Sequence, residues 1–159
     1  MLPAKFRFIL ENCIEGYLAT CVNNQPYISL MKITPLLERS ELIISTRKNT
    51  RKYQNLQQNP AVACLFHYRA PELEQDQSLL VLGEAREIAG DQIEFYRNIH
   101  TRKHPGRQPF LFGPDVAILT IGIVSLILAD AQDQVLSWPS GSSEVSAEAL
   151  GSEKQKTEP

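Results

Sequence analysis

Short apolar runs separated by short turns make up most of this chain. The runs are rich in Val, Ile, Leu and aromatic residues, and Pro, Gly, Asn or Asp bound many of them, which is typical of β-strands. Most connections are short turns, which suit antiparallel pairing. The pattern predicts roughly seven or eight short strands. They span residues 17–22, 27–34, 41–45, 61–67, 78–88, 115–123, 125–130 and 135–138.

Helices are predicted at three places among these strands. Apolar residues recur at helical spacing over 4–15, with Gly16 as the C-terminal cap residue, and a second helix covers 53–59. A third begins after Asp91 and ends before Pro105. We expect a mainly β fold, an antiparallel barrel of Greek-key type with peripheral helices, because closure of a sheet removes its exposed edges. Gly83 interrupts one long strand and predicts a bulge or a barrel bend.

Length, net charge and the longest apolar run limit what kind of protein this chain can be. A length of 159 residues suits one domain, which we place at 1–138, and the Ser-rich polar stretch 139–159 is expected to be disordered. A net charge of -2 gives no general attraction to nucleic acid or to an anionic membrane. The longest near-apolar run, 116–129, is shorter than the roughly 20 residues that a membrane helix needs.

The cysteines and the N-terminus favour a cytoplasmic protein. Cys13, Cys21 and Cys64 are an odd number without CxxC spacing, so we expect free thiols in a reducing compartment. The first residues lack the continuous apolar stretch of a signal peptide.

A basic segment, Thr-Arg-Lys-Asn-Thr-Arg-Lys at 46–52, lies between a predicted strand and a predicted helix. Asn49 or Thr50 suits the N-cap, which places Arg51 and Lys52 in the first turn of the helix. Cations are disfavoured there, because the N-terminal end of a helix already carries partial positive charge. A bound anion explains the cluster, and a phosphate fits best. The alternatives are a solvated basic loop and a nucleic-acid patch, for which Tyr53 is the only nearby aromatic.

The histidines point to a binding site less clearly than the basic segment does. His100 and His104 are four residues apart on a predicted helix, a spacing that two metal ligands can have, but no third ligand is evident. A polar helix end or a site that attracts an anionic substrate explains them as well. His67 is expected at the rim of the barrel. We therefore predict no metal site.

Residues 42–67, LIISTRKNTRKYQNLQQNPAVACLFH, resemble the flavin segment of the pyridoxamine 5'-phosphate oxidase-like family. Residues 16–20 followed by 25–32 are similar to the opening hairpin of that family, and 82–86 followed by 113–118 to its later strands. The resemblance covers roughly residues 5–138, and members of the family are FMN-binding split β-barrels.

The resemblance implies a role for particular residues. Thr50, Arg51 and Lys52 would hold the FMN phosphate, and Ser45 and Thr46 would approach the ring and ribityl chain. The strand 27–32 would lie along the isoalloxazine. The full implied set of cofactor-binding residues is Met31, Lys32, Ser45, Thr46, Thr50, Arg51, Lys52 and Trp138.

The resemblance further implies a homodimer with FMN between two barrels. Trp138 would be either a core anchor or a lid over the partner's flavin, and the loop 105–114 is an alternative lid. No catalytic side chain is predicted, because flavin carries the chemistry and the sequence has no GxSxG, HExxH or Gly-rich phosphate loop. Lys32 is the candidate for a positive group near the flavin.

Departures from the family pattern argue against vitamin B6 oxidation. The true oxidase often has Arg where this chain has Tyr27, Gln near the position of Ser78, and a C-terminal region that grips pyridoxal phosphate where this chain has a polar tail. We therefore expect an FMN-dependent oxidoreductase that acts on a small flat substrate. The alternatives are a non-catalytic protein that binds or stores flavin or haem, and an adaptor that has lost its cofactor.

Overall fold

The computed structural model describes residues 2–70, 75–106, 109–132, 134–139 and 146–147. Within these ranges the chain forms three α-helices, a 3-10 turn at Leu37–Arg39 and nine strands. The helices are α1 (Ala4–Asn12), α2 (Arg51–Gln58) and α3 (Gln92–Lys103). The strands are β1 (Glu15–Val22), β2 (Gln25–Lys32), β3 (Thr34–Leu36), β4 (Glu41–Arg47), β5 (Ala61–Ala70), β6 (Gln75–Glu87), β7 (Val116–Asp130), β8 (Val135–Pro139) and β9 (Ser146–Ala147).

The strands form one antiparallel sheet that curls into a split barrel. Its order is β2-β1-β5-β6-β7-β4-β3, and β8 pairs with the second half of β7. Because β7 is long, its first half pairs with β4 and its second half with β8, while β6 runs along both halves. The predicted mainly β, antiparallel barrel with peripheral helices is confirmed.

The bulge predicted at Gly83 is confirmed. The register of β6 against β7 moves from Leu82 opposite Ser125 to Gly83 opposite Ile123, which leaves Val124 without an opposite residue. A side chain at position 83 would meet the backbone oxygen of Gly122 at 2.4 Å, so the close approach of the two strands requires glycine. The prediction of two separate strands over 115–130 is wrong, because the bulge absorbs Val124 within one continuous strand.

The core lies between the sheet and the helices. α1 contributes Phe6, Ile9 and Leu10, which are buried against the inner face of the barrel. α1 ends at Asn12, and Gly16 is not its cap but a residue of β1. A Cβ at Gly16 would lie 2.9 Å from the Phe66 ring, so packing in the barrel explains this glycine.

Several boundaries differ from the predictions for physical reasons. The turn at Asn23 and Asn24 is confirmed, with φ of 52° and 59°, values that asparagine tolerates in two-residue hairpins. The polar loop predicted over 69–77 is shorter, because polar residues continue the pairing of β5 with β6 up to Ala70 and Gln75. Most of the stretch 139–159 lies outside the described residues, and Ser146–Ala147 pairs with β8.

Candidate functional site

A cleft of about 450 Å³ opens between the end of β2 and the end of β4. β2 is at one edge of the sheet order and β4 is next to the other edge, so the cleft lies where the curled sheet meets itself. The lining residues come from these strands, α2 and the loop before β7. They are Glu15, Leu30, Met31, Lys32, Ser45, Thr46, Arg47, Thr50, Lys52, Pro109 and Phe110.

The N-terminus of α2 opens into this cleft. Thr50 is the N-cap, and its hydroxyl accepts a hydrogen bond from the Tyr53 amide at 3.4 Å. The same hydroxyl donates to the Arg47 carbonyl at 2.8 Å and lies 3.1 Å from the Thr46 hydroxyl. The cap thus leaves the amides of Arg51 and Lys52 open to an acceptor from the cleft. Two hydroxyl groups and the positive end of a helix meet at one corner.

Lys52 supplies the charge of this corner. No carboxylate of the described residues forms an ion pair with it. Burial lowers the pKa of Lys52, since part of its hydration is lost and no anion replaces it. Lys48, in contrast, points elsewhere and pairs with Glu87 at 2.9 Å. An anion in the cleft would offset the unfavourable desolvation of Lys52.

Ser45 presents an unsatisfied hydroxyl to the cleft. Its side chain is 2% exposed, and its Oγ has no hydrogen-bond partner among the described residues. A buried hydroxyl without a partner costs free energy of about 1–3 kcal/mol, so native proteins rarely keep one unless a ligand or a water completes it. This orphaned atom lines the same cleft as the free helix end, and it is an observation independent of the cations that points to a bound ligand.

At the β2 side of the cleft, Lys32 forms an ion pair with Glu15. The two residues are also opposite each other in the pairing of β1 with β2. Met31 and Leu30 add apolar surface beside this pair, and Phe110 adds an aromatic ring from the loop before β7. The cleft therefore has a cationic polar corner at α2 and an apolar section beside a neutralised ion pair.

Six of the eight predicted cofactor-binding residues line this cleft: Met31, Lys32, Ser45, Thr46, Thr50 and Lys52. Arg51 and Trp138 do not. Arg51 donates to Gln25 at 3.3 Å and lies over the Tyr27 ring at 5.3 Å, so a tyrosine at this position holds it outside the cleft lining. Trp138 is 3% exposed and belongs to the core. The roles of all eight in binding a cofactor stay predictions.

Five lining residues are outside the predicted set of cofactor-binding residues: Glu15, Leu30, Arg47, Pro109 and Phe110. Arg47 carries a signal, because it belongs to the basic segment and ends a strand beside the predicted N-cap. Leu30 belongs to the strand 27–32 and Phe110 to the loop 105–114, both of which the resemblance implied near a flavin. Glu15 gives no such signal, because strand pairing brings it to the cleft.

The histidines lie away from the cleft. His100 is buried and hydrogen-bonded through Nδ1 to the Thr34 hydroxyl at 2.8 Å. His104 is also buried, and its Nε2 lies 3.2 Å from the Ile33 carbonyl. His67 is exposed beside Asp76. Burial lowers the pKa of His100 to about 4 and also lowers the pKa of His104.

The described part of the chain contains no group of three or more His, Cys, Asp or Glu residues arranged to hold a metal ion. None of its helices combines the length and the apolar character that crossing a membrane requires.

Solved structures share this fold. A haem-binding protein from Mycobacterium smegmatis superposes with a TM-score of 0.75 at 15% identity, over 87% of this chain and 59% of that one. An FAD-binding protein from Mesorhizobium loti superposes with a TM-score of 0.66 at 18% identity, over 80% of this chain and 92% of that one. At such identities the similarity is one of fold.

Similarity in sequence identifies relatives more specifically than the shared fold does. A Schizosaccharomyces pombe (strain 972 / ATCC 24843) protein named as a pyridoxamine 5'-phosphate oxidase homolog is 36% identical over 73 residues. The match covers 41% of this chain and 38% of the yeast protein, which is less than half of either. The family model for pyridoxamine 5'-phosphate oxidase matches residues 2–112, well over half of the chain. The protein therefore belongs to the pyridoxamine 5'-phosphate oxidase family.

Proposed function

We propose that this protein binds FMN in the cleft and is an FMN-dependent oxidoreductase that acts on a small flat substrate. The observation that carries the proposal is the meeting of a free helix N-terminus, the unpaired Lys52 and the unsatisfied Ser45 hydroxyl in one cleft. The predicted phosphate residues Thr50 and Lys52 line that cleft from α2, and the predicted ring residues Met31 and Lys32 line it from β2.

The α2 corner suits a phosphate monoester. Amides of the first helical turn and the Thr46 hydroxyl can donate hydrogen bonds to phosphate oxygens, while the Thr50 hydroxyl holds the cap. Lys52 neutralises part of the charge, and its lowered pKa means that an anion beside it would be favoured. Charge-assisted contacts of this kind are stronger than those between neutral groups.

The other section suits a flat ring. Leu30, Met31 and Phe110 offer apolar contacts, and the Ser45 hydroxyl offers a hydrogen bond to a polar edge. When bound, FMN would supply the hydride or electron transfer, and the protein would bind, orient and exclude water. Lys32 would place a positive group near the ring, with its charge moderated by Glu15.

Haem is the second candidate ligand, because one structural neighbour is a haem-binding protein and another is an FAD-binding protein. Haem iron is usually held by His, Cys, Met or Tyr. Among the described residues that line the cleft, Met31 is the only one of these types, and no histidine is present. Haem carries two carboxylates that an anion corner could also bind, so it is the shortage of iron ligands in the cleft that favours flavin.

We further propose a homodimer, formed through the outer face of β2, β1, β5 and β6. Two rows of apolar residues cross these strands in register: Ile28, Ala19, Ala63 and Leu82 in one, and Leu30, Tyr17, Leu65 and Leu80 in the other. Ile28 is 64% and Leu30 57% exposed, which is unusual for a contiguous apolar surface in a monomer. Since Leu30 also lines the cleft, a second copy on this face would cover the cleft.

A cytoplasmic location is proposed on the state of the cysteines. Cys13, Cys21 and Cys64 are all free thiols in the structure, which suits a reducing compartment.

Identification of the ligand that the purified protein releases on denaturation tests the cofactor. We expect a yellow protein that releases FMN in a ratio close to one per chain. A colourless protein that does not bind added FMN, or one that releases haem, would contradict the proposal.

Measurement of catalytic turnover distinguishes an enzyme from a protein that only stores flavin. The FMN-loaded protein is mixed anaerobically with NADH or NADPH, and the loss of visible flavin absorbance is followed. We expect reduction by one donor and reoxidation by an added acceptor. A flavin that neither donor reduces would favour the non-catalytic alternative.

A further inference from the structure

Glu87, the last residue of β6, has two partners that lie on either side of the N-cap of α2. Its Oε1 pairs with Lys48 Nζ at 2.9 Å, and its Oε2 accepts a hydrogen bond from the Tyr53 hydroxyl at 2.7 Å. Lys48 lies before the N-cap Thr50 in the sequence, and Tyr53 lies after it, in the first turn of the helix. One side chain of β6 therefore bridges the segment 48–53, in which α2 begins.

The backbone bonds of this cap are long. The Tyr53 amide lies 3.4 Å from the Thr50 hydroxyl, and the Thr50 amide lies 3.2 Å from the Arg47 carbonyl, at or beyond the usual range for N–H···O bonds. The Thr50 hydroxyl adds a shorter bond of 2.8 Å to the same carbonyl. The two bonds to Glu87 are short and charge-assisted, so they add firmness that the cap itself lacks.

The rest of α2 is fixed to a different strand. The side-chain amide of Asn55 donates to the Thr20 hydroxyl at 3.0 Å. The side-chain amide of Asn59, at the C-terminal end, donates to the Cys21 carbonyl at 2.8 Å. Both acceptors belong to β1. Loss of the bonds to Glu87 would therefore loosen the N-terminus of α2 and leave the helix docked on the barrel.

Glu87 can influence the cleft only indirectly, since neither it nor its two partners are among the described residues that line the cleft. Burial alone would raise the pKa of Glu87, but the hydrogen bonds from Lys48 and Tyr53 and the charge of Lys48 lower it, so the carboxylate stays charged. A negative charge near a phosphate weakens its binding, whereas a firmly held helix end strengthens it. The charge of Glu87 and the geometry that it imposes thus have opposite effects on a bound phosphate.

We propose that Glu87 is a positioning residue of the α2 corner. Through Lys48 and Tyr53 it holds the first amides of α2 in the direction of the cleft. Donors that are fixed before binding lose little conformational entropy when the ligand arrives, so a held helix end binds an anion more tightly than a loose one. The inference rests on the proposed function, in which these amides bind the FMN phosphate, and it adds to that site a group of residues that lies outside the cleft.

Tyr53→Phe tests the positioning without a change of charge. The variant keeps the aromatic ring and the ion pair of Lys48 with Glu87, and it removes the hydrogen bond from the hydroxyl. In titrations of the flavin-free protein we expect FMN affinity to fall by about fivefold to tenfold, as loss of one hydrogen bond predicts. Riboflavin affinity should stay near that of the wild type, because riboflavin has no phosphate. A merely structural role of Tyr53 would lower both affinities.

Tyr68→Phe is the matched control, because the Tyr68 hydroxyl has no hydrogen bond with the described residues and Tyr68 does not line the cleft. It should bind both flavins like the wild type.

Glu87→Ala separates position from charge, because the two effects have opposite signs. If Glu87 positions the helix end, the variant should bind FMN about tenfold or more weakly and should keep its riboflavin affinity. If Glu87 acts only as a negative charge, its removal would strengthen FMN binding, and added salt would diminish the gain.

Unchanged or stronger FMN binding in either Tyr53→Phe or Glu87→Ala, or an equal loss of riboflavin affinity, would overturn the inference. The proposed function would stand in that case, since the wild type still binds FMN. If the wild type does not bind FMN, the proposed function fails and this inference fails with it.

Discussion

Lys48 and Lys52 belong to one basic segment, but their surroundings shift their pKa values in opposite directions. A hydrogen bond and the charge of Glu87 raise the pKa of Lys48, so its charge is already compensated. Burial lowers the pKa of Lys52, which faces the cleft without a counter-ion. Only the second lysine gains by binding an anion. A count of basic residues along the sequence cannot make this distinction.

His100 makes stability depend on pH. Its folded pKa, about 4, is below the ordinary value of 6.5, because burial disfavours the charged form and His104 is adjacent. The stabilising effect of a neutral His100 is therefore fully present above pH 6.5 and is lost as the pH falls toward 4. The free energy of unfolding should decrease over this window by an amount on the order of 3 kcal/mol.

Urea unfolding at a series of pH values measures this dependence. His100→Gln should flatten the decrease between pH 6.5 and pH 4, whereas His67→Gln, at an exposed position, should retain it. An equally steep decrease in His100→Gln would show that another group is responsible.

At the scale of elements, the bulge between β6 and β7 gives a matched pair of glycines. A Cβ at Gly83 would lie 2.4 Å from the Gly122 oxygen, whereas a Cβ at Gly122 would meet only the Glu84 oxygen at 3.9 Å. We expect Gly83→Ala to lower the free energy of unfolding by about 1–3 kcal/mol, as overpacking typically does. Gly122→Ala should change it little. Chemical denaturation of both variants checks this, and equal effects would contradict the role of the bulge.

These elements could be predicted from the sequence only where the residues that determine them are close together in the chain. The Asn23-Asn24 turn, the bulge at Gly83 and the N-cap at Thr50 could be predicted because residue type and neighbours suffice. The end of α1 and the extension of β5 and β6 could not, because barrel packing and cross-strand pairing decide them.

The same distinction applies to the site. The α2 corner is contiguous in sequence and was predictable. Glu15 enters the cleft because it is paired with Lys32, and Phe110 because a loop before β7 reaches the end of β2. Such neighbours follow from the topology, which no local pattern encodes.

At the scale of the whole molecule, the apolar outer face predicts the oligomeric state. Ile28→Lys combined with Leu65→Lys places two charges on that face and should convert the dimer to a monomer, because buried unpaired charges are strongly disfavoured. Val124→Lys is the control, since Val124 is 52% exposed at the bulge. Sedimentation analysis distinguishes the states. A wild-type monomer, or a double variant that remains dimeric, would contradict the proposed interface.

The central claim is that the free N-terminus of α2 and Lys52 hold the phosphate of a flavin, and comparison of FMN with riboflavin tests it most directly. The two ligands differ only in the phosphate. The wild type should bind FMN at least about a hundredfold more tightly than riboflavin, since each charge-assisted contact contributes about 1.5–3 kcal/mol. Lys52→Ala should reduce that preference by about tenfold or more and leave riboflavin affinity unchanged. Equal affinities of the wild type for FMN and riboflavin would contradict the claim.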